Sequence, residues 1–460
     1  MEFMLKLIEP RNQIEESRKR FSNSDLFKMI MPLFIEQLLL MVVGLADTMM
    51  VSHAGEATVS GVSLDTMVYT IFILVFSSLG AGGAVIVAQY IGREDKKRAD
   101  LAASQIFLTA GVISVIFTVL MLVMGNSLLN LLYSSVDAQV MEACRTYLWI
   151  VTLSFPANAI YNAGTALYRA MGKTSVTMRV SMAMNAVNVV GNAIGIFVLH
   201  AGAAGVAWPT TISWYFAAVI MTLLCYKKNN PVSIHTKQIF VPNPDMIARI
   251  LRVAVPNAIE GGLFQAAKVV LGSLIATFGT AQIAANGIGQ TIWSLAACVS
   301  SAMSPAFIAV IGQCFGRGDT EAADYYLWKL LRIATLLSFC WNVLIFLCLP
   351  LILPLYDISD QTKDLIVIIV FIHNLFCGTI GAFFGPFSSG LRAAGDVRFT
   401  MFASIFCTVI FRTGMSFFLC KGLGMGVVGI AIAMVMDWSL KAVIHLLRYR
   451  SGKWKEHALI

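Results

Sequence analysis

Charged residues are scarce in this chain of 460 residues, where Asp, Glu, Lys and Arg together make up 13%. A soluble protein of this size carries roughly 25% charged residues. Hydrophobic residues instead reach 58%, so too few polar side chains remain to cover a large water-facing surface. The composition therefore excludes a soluble globular protein and favours one that lies mostly in a membrane.

Signatures of phosphate-binding and hydrolytic enzymes are also missing. The chain holds no GxxxxGK[ST], HExxH or GxSxG motif, and its nine cysteines form no CxxC or CxxxC pair. An ATPase cassette, a zinc peptidase and a serine hydrolase each depend on one of those motifs. We therefore expect no catalytic residues and no cofactor, and we interpret the cysteines as reduced thiols buried in apolar helices.

Long apolar runs take the place of the missing charge. About twelve of them approach the length of about 20 residues that an α-helix needs to cross a bilayer. The predicted helices cover residues 27–52, 60–88, 101–127, 143–167, 174–199, 204–226, 251–277, 283–311, 325–350, 364–390, 398–420 and 426–447. Little chain remains for a soluble domain, so the predicted fold class is an all-α polytopic membrane protein.

The net charge of +8 is distributed unevenly along the chain. Lys and Arg concentrate in the N-terminal segment, in the connections that follow helices 2, 4, 6, 8 and 10, and in the C-terminal tail. The other connections hold almost none, only Arg145, Lys363 and Lys421. This positive-inside bias predicts that both termini are cytoplasmic and that the number of helices is even. The charge is thus expected to contact membrane lipids, and no nucleic-acid site is expected.

The two halves of the chain are similar in sequence. Matched residues are separated by one fixed distance along the chain, the distance from Pro32 to Pro256, which we call the repeat displacement. Further pairs with this repeat displacement include Glu36/Glu260, Gly55/Gly279, Gln89/Gln313, Arg93/Arg317 and Asp95/Asp319. Later in each half, LYRAMG at 167–172 matches GLRAAG at 390–395, where the displacement is shorter by a single position. The sequence therefore predicts two pseudo-symmetric six-helix bundles. Their expected limits are 27–226 and 251–447, with a cytoplasmic N-terminal segment 1–26, linker 227–250 and tail 448–460.

Both predicted bundles begin on the cytoplasmic side, so they share one orientation. Repeats of this kind are related by an axis along the membrane normal, with a substrate site at the repeat interface. Two rigid bundles that rock about such a site suit alternating access. A channel more often closes a symmetric ring of subunits. The duplication therefore favours a transporter over a channel.

Several stretches resemble the multidrug and toxic compound extrusion (MATE) family. They are PLFIEQLLLMVVGLADTMMVSHAGEATVSGVS, the pair AQYIGREDKKRA and GQCFGRGDTEAA, the pair ALYRAMGKT and GLRAAGDVRFTM, and the C-terminal stretch from Phe411 to Lys455. The resemblance implies a secondary active multidrug efflux transporter of the plasma (inner) membrane, which is not an enzyme. Such a protein exports small organic compounds, expected to be cationic, in exchange for Na⁺ or H⁺, and is expected to be monomeric.

Other functions remain open from the sequence. A lipid-linked saccharide or lipid flippase shares this general fold, although it often has more helices and a more basic cavity. A major facilitator-type carrier has a different fold and an acidic-basic signature after its second helix, which this chain lacks. A channel or an intramembrane enzyme is a further alternative, but we find no paired catalytic groups at matched depth.

Ionisable residues at membrane depth are costly there and indicate function by default. Asp47 lies in the first apolar helix, and Asn188 and Asn192 are four residues apart, hence on one helix face. The MATE resemblance implies that these residues, with Thr210, bind the coupling cation, although many relatives have Asp where Asn192 stands. The second half does not repeat this set, because the repeat displacement leads to Leu271, Arg412 and Ser416.

The remaining polar residues of the apolar helices are assigned as follows. Pro32 and Pro256 each precede a glutamate by four residues. A proline inside a helix removes one backbone hydrogen bond and bends the helix. We therefore expect both prolines to act as hinges. We expect Arg412 and Asp437 to form a structural ion pair, and Lys268 is a candidate counter-charge for Glu260. The candidates for a cleft, substrate or second cation site are Glu260, Gln265, Lys268, Glu36 and His373.

Overall fold

The structure, a computed structural model, describes residues 8–10, 13–134, 136–356, 358–457 and 459–460. Two basic residues of the predicted N-terminal segment, Lys6 and Arg11, lie outside this part of the chain. Within it there are seventeen α-helices and no β-strand. The helices are α1 Asn23–Ser52, α2 Glu56–Gly92, α3 Lys96–Leu132, α4 Ala138–Thr152, α5 Phe155–Ala170, α6 Thr174–Ala193, α7 Ala204–Cys225, α8 Thr236–Phe240, α9 Pro244–Ile275, α10 Thr280–Ala296, α11 Cys298–Gly316, α12 Thr320–Ile352, α13 Asp360–Phe384, α14 Pro386–Ala393, α15 Val397–Ile405, α16 Arg412–Phe417 and α17 Gly426–Arg450.

Eleven helical segments of the described chain are long and apolar enough to cross a membrane. They correspond to eleven of the twelve predicted helices, and the predicted fold class is confirmed. Breaks at Ala297 and Gly385 also divide the predicted helices 283–311 and 364–390, and the prediction of one continuous helix over 143–167 is wrong. There the chain divides at Leu153 and Ser154 into α4 and α5, of 15 and 16 residues. Pro156 in the first turn of α5 supplies no amide hydrogen, so the helical hydrogen-bond ladder is interrupted at this point.

The repeat extends from the sequence to the backbone conformation. Gly55 and Gly279, which precede α2 and α10, have φ of +97° and +92°. Only glycine adopts such angles without strain, so the turn explains why both halves place glycine there. A π-helical turn also recurs, at Ile194–Val198 after α6 and at Phe418–Gly422 after α16. These two turns are again related by the repeat displacement.

The described residues form two compact units. The N-unit consists of Phe27–Ala258, and the C-unit consists of Ile259–Ile460 together with the described part of Met1–Leu26. The boundary between them falls inside α9. The lobe limits 27–226 and 251–447 derived from the sequence stay a prediction.

In the C-unit, the N-terminal segment packs on the start of α12. Lys329 is 3% exposed, and its ammonium group donates to Glu9 Oε1 at 2.6 Å. Tyr325 donates to the other Glu9 oxygen at 2.5 Å. Partial burial by itself raises the pKa of Glu9, but the hydrogen bonds from Lys329 and Tyr325 more than offset this and lower it below its usual value. Glu9 thus stays ionised and compensates a buried lysine.

A second contact of the same segment involves Arg18, which forms ion pairs with Asp319 and Glu321 at the start of α12. The Arg18 guanidinium lowers the pKa of the Asp319 carboxyl below its usual range. Asp319 is also the N-cap of α12, because its Oδ1 accepts from the Ala322 amide at 2.9 Å. One carboxylate therefore begins a helix and anchors the N-terminal segment.

The N-unit uses the corresponding part of α3 to hold the linker. Gln105, which the repeat displacement relates to Lys329, donates to the carbonyl oxygens of Gln238 at 2.5 Å and Val241 at 3.0 Å. Asp100 accepts from the Ser233 amide at 2.8 Å. The first turns of α3 and α12 therefore each bind a segment that lies outside the predicted membrane helices. The sequence repeat gave no indication of this, since Gln105 and Lys329 are unlike.

The docking of the N-terminal segment can be tested by Asp319→Asn. Loss of the charge weakens the pair with Arg18, so we expect faster tryptic cleavage after Arg18, Lys19 or Arg20 in the purified protein. Asp95→Asn is the matched control, because Asp95 caps α3 through the Arg98 amide at 3.1 Å but does not pair with Arg18. Equal cleavage rates in both variants and the wild type would contradict the docking.

Candidate functional site

The structure brings the four predicted coupling-site residues together inside the N-unit. Asn192 Nδ2 donates to Asp47 Oδ1 at 2.9 Å. Asn188, turned so that its nitrogen faces the carboxylate, donates to both Asp47 oxygens at 3.2 Å and accepts from Thr210 Oγ1 at 3.2 Å. Helices α1, α6 and α7 each contribute to this cluster. Asn188 and Asn192 are 7% and 0% exposed, whereas Asp47 is half-buried.

Charge balance distinguishes Asp47 from the other acidic residues that the sequence selected. Within the described residues, no lysine or arginine forms an ion pair with Asp47, whose only side-chain partners are amides. The Asn192 Oδ1 atom is buried and accepts no hydrogen bond there. The cluster therefore offers carboxylate, amide and hydroxyl oxygens, which are the ligands preferred by hard cations. A proton on Asp47 would satisfy the same charge requirement.

Glu36 lies elsewhere in the N-unit and has a basic partner. Its side chain is 2% exposed, and Arg169 of α5 donates to Oε1 at 3.0 Å. Thr177 of α6 donates to the other carboxylate oxygen at 3.3 Å. Glu36 is thus a buried, compensated carboxylate that joins three helices, and the structure does not place it in the Asp47 cluster.

The C-unit repeats the glutamate–arginine pair at Glu260. Arg392 of α14 donates to Glu260 Oε2 at 2.6 Å and to Thr400 Oγ1 at 3.2 Å. The candidate counter-charge, Lys268, does not pair with Glu260; its ammonium group instead lies 5.5 Å from the Phe264 ring centroid. Lys268 is two helical turns from Glu260, and eight residues rotate it by about 80° around the axis. The arginine is better placed because it approaches from a different helix.

The other candidates occupy separate positions. Pro256 and Pro32 both belong to the N-unit, and each lies inside a continuous α-helix. Gln265 is half-buried on α9. His373 on α13 is 2% exposed, and neither of its ring nitrogens has a hydrogen-bond partner within the described residues. Its ring lies 5.8 Å from that of Trp438, so it belongs to the interior of the C-unit.

The C-unit counterpart of the Asp47 cluster has different chemistry. Leu271, the counterpart of Asp47, is buried in an apolar cluster with Ile275 and Ile430. Arg412, the counterpart of Asn188, donates from Nε to Asp437 at 2.9 Å and from Nη2 at 2.5 Å. Both members of this pair are buried. The two halves therefore share backbone geometry, while only the N-unit offers an uncompensated carboxylate at this position.

Arg169 and Arg392 were not predicted from the sequence to be partners of the glutamates. A signal existed, because both arginines lie in the matched stretches LYRAMG and GLRAAG, and both glutamates are matched as well. Thr177 and Thr400 are separated by the same distance along the chain as the two arginines. A position that is polar in both halves of a duplicated membrane protein therefore indicates a contact that both halves keep.

Comparison with protein families gives two matches to the model described as MatE, over residues 32–194 and 256–418. The starts of the two matches, and equally their ends, are related by the repeat displacement seen in the sequence pairs and in the π-helical turns. Together the matches cover well over half of the chain. They confirm the resemblance and the duplication.

Similar proteins are spread over several bacteria. The chain is 25% identical over 441 residues to "Uncharacterized transporter YisQ" of Bacillus subtilis, covering 93% of this chain and 94% of that protein. It is 25% identical over 462 residues to "Probable multidrug resistance protein NorM" of Thermotoga maritima, with coverages of 98% and 96%. A solved structure of a multidrug resistance MATE family transporter in an outward-facing conformation superposes with a TM-score of 0.88, at 21% identity and 98% coverage of both chains.

The buried pair of Glu36 and Arg169 can be tested by Arg169→Met. Removal of one partner leaves an uncompensated buried carboxylate, which costs about 3–5 kcal/mol, so we expect a clear fall in the thermal unfolding midpoint in detergent. Glu36→Gln should cost less because Arg169 is 25% exposed and can reach solvent, and the double variant should recover stability relative to Arg169→Met. An Arg169→Met midpoint equal to that of the wild type would contradict the assignment.

Proposed function

We propose that this chain, which belongs to the MatE family of multi-pass membrane transporters, is a secondary active multidrug exporter. In this proposal it releases small organic compounds in exchange for Na⁺ or H⁺ by alternating access of two lobes. The coupling cation binds at Asp47, Asn188, Asn192 and Thr210. The proposal goes beyond family membership in naming the coupling, the site and the substrate class.

The observation that carries the proposal is the uncompensated charge of Asp47. Glu36, Glu260 and Asp437 each accept hydrogen bonds from an arginine, whereas Asp47 meets only amides within the described chain. A carboxylate at membrane depth needs a counter-charge. An exchangeable cation supplies that charge only while it is bound, so Asp47 is suited to a transport cycle in a way that the paired carboxylates are not.

Cation binding at this cluster would couple to the conformation of the N-unit. The cluster joins α1 to α6 and α7, so an occupied site holds three helices around one charge. When the cation leaves, Asp47 regains its negative charge and a packing that gives it more water becomes favourable. The cation thus interacts differently with two conformations, which is the thermodynamic requirement for coupling. Pro32 in α1 and Pro256 in α9 are the proposed hinges.

The proposed substrates are organic compounds, expected to be cationic. The names of the relatives support the multidrug class. The chain has 23 methionines and is 11% aromatic, and flexible thioether and aromatic side chains suit the binding of varied flat cations. Gln265, Lys268 and His373 are proposed to contribute to substrate or second-cation binding in the C-unit, while Glu36 and Glu260 are held by arginines.

The proposed location is the plasma (inner) membrane, with both termini in the cytoplasm and the protein acting as a monomer. The alternation of basic and charge-poor connections supports this orientation. The basic segments before α1 and in the linker are then on the cytoplasmic side, where anionic lipid attracts lysine and arginine. The proposed lobe limits remain 27–226 and 251–447.

The test is efflux of a cationic dye from proteoliposomes under an imposed Na⁺ gradient and, separately, an imposed pH gradient. We expect one of the two gradients to drive efflux in the wild type and Asp47→Asn to abolish it, because the amide cannot take up the exchanged charge. Glu56→Gln is the matched control, since Glu56 is an exposed acid at the start of α2 and its variant should retain activity.

Two results would contradict the proposal. If neither gradient drives dye efflux, ion-coupled drug export would be excluded as the function. Flipping of a lipid-linked saccharide would then be the activity to measure. If gradient-driven efflux persists in Asp47→Asn at the wild-type rate, the exporter function would still be supported, but Asp47 would be excluded from the coupling site.

A further inference from the structure

A second carboxyl group without a basic partner lies inside the N-unit, at Asp65 of α2. Its side chain is 0% exposed, and no side chain of the described residues forms a hydrogen bond with either carboxyl oxygen. Asp65 is nine residues from the start of α2, which is about 14 Å along the helix axis. The repeat displacement leads from Asp65 to Gly289, so the C-unit has no counterpart.

Asp65 is enclosed by close packing of α2 against α4. One turn earlier, a Cβ atom on Gly61 would lie 2.8 Å from the Ala143 Cβ and 3.0 Å from the Cys144 nitrogen, so the two helices touch there. The Asp65 carboxyl group itself lies beside the backbone of Leu148, one turn further along α4. The side chain is therefore held in the helix interface, without access to bulk water in this conformation.

Polar groups continue from Asp65 along the same face of α2. Tyr69, one turn on, has its hydroxyl 3.3 Å from Ser154 Oγ at the interruption between α4 and α5. Asn158 donates to the Tyr69 hydroxyl at 3.5 Å, and Asn162 donates to Asn158 Oδ1 at 2.8 Å. Ser154 and Asn158 are both 0% exposed. Asp65 is thus the acidic end of a buried polar row inside the N-unit.

The titratable groups that face Asp65 are all neutral in their usual state. Tyr133 at the end of α3, with Cys144 and Tyr147 of α4, interacts electrostatically with Asp65. Tyr147 is 6% exposed and also interacts with Asp47. None of these groups supplies a positive charge. An ionised Asp65 would therefore be a buried, unpaired charge, which is far more costly than a neutral buried acid.

A metal cation does not fit this position. A hard cation such as Na⁺ or Ca²⁺ needs several oxygen ligands, whereas the buried Asp65 carboxyl group supplies only two oxygens. The touching helices at Gly61 also leave little room for an ion beside Asp65. A proton needs neither extra ligands nor space, so it is the one cation that this site accommodates.

We propose that Asp65 is a proton-binding site of the N-unit, distinct from the Asp47 cluster, and that its proton is exchanged during transport. In the described conformation the Asp65 carboxylate has bound one proton as an O–H group. When α2 and α4 separate and water enters, that bond breaks and the proton leaves to water. The exchange step rests on the proposed function, but the protonation does not.

The protonation is tested by infrared spectroscopy on the purified full chain at neutral pH. A buried protonated carboxyl group gives a C=O stretch that a carboxylate lacks. We expect this band in the wild type, its loss in Asp65→Asn, and its persistence in Glu56→Gln, the exposed acid on the same helix. An Asp65→Asn spectrum with the full wild-type band overturns the proposal.

Two further samples keep the result decisive if Asp65→Asn folds poorly. Wild-type protein with ¹³C at the aspartate carboxyl carbons should show the band at lower frequency, whereas an unshifted band would assign it to another residue type and overturn the proposal. Asp65→Glu retains an acid and should keep a band at a changed frequency, while its absence in a folded Asp65→Glu protein would count against the site.

The exchange is tested in proteoliposomes with the pH gradient as driving force. We expect Asp65→Asn to bind dye with the wild-type affinity but to lose pH-driven efflux, and Asp65→Glu to recover it. Wild-type pH dependence in Asp65→Asn overturns the exchange. If wild-type protein moves no dye under either gradient, the proposed function fails, whereas the infrared band still decides whether Asp65 holds a proton.

Discussion

A carboxylate inside a membrane protein needs a positive counter-charge, and much of this structure depends on how each carboxylate obtains one. Glu36, Glu260 and Asp437 each have an arginine from another helix. Those pairs fix helix positions, since separating either partner leaves a charge in an apolar interior. The N-terminal segment follows the same rule, because Glu9 compensates the buried Lys329. The compensated residues are therefore structural, and only uncompensated carboxylates are proposed to exchange a cation.

Duplication preserved geometry more strictly than chemistry. The glycines before α2 and α10, the aspartate caps of α3 and α12 and the π-helical turns recur with one displacement, because helix starts and turns restrict the backbone. The glutamate–arginine pairs also recur, but the threonine bonds to the glutamate in the N-unit and to the arginine in the C-unit. The position of Asn188 instead became Arg412, with Asp437 as its partner. A buried pair stabilises that place in the C-unit without an exchangeable charge, so the proposed coupling site is confined to the N-unit.

Asp65 and the break between α4 and α5 are features of the apolar helices that the sequence patterns did not predict. Both lie within a long apolar stretch, and neither has a counterpart at the repeat displacement that would draw attention to it. The break at Leu153 and Ser154 places the Ser154 hydroxyl beside the Tyr69 hydroxyl. Hydrophobic periodicity does not predict this contact. Similarly, Lys268 and Arg392 were equally plausible partners for Glu260 by charge alone, and only the approach direction of α14 decides between them.

The sequence alone determined the fold class, the duplication and the membership of Asp47, Asn188 and Asn192 in apolar helices. These follow from composition, run length and a fixed displacement, which are local or periodic properties of the chain. The tertiary structure decided which side chains meet: Arg169 with Glu36, Arg392 with Glu260, and the N-terminal segment with α12. Among the described residues it gives Asp65 no basic partner. Such contacts join residues that are far apart along the chain, and helix packing, which hydropathy does not encode, sets their distances.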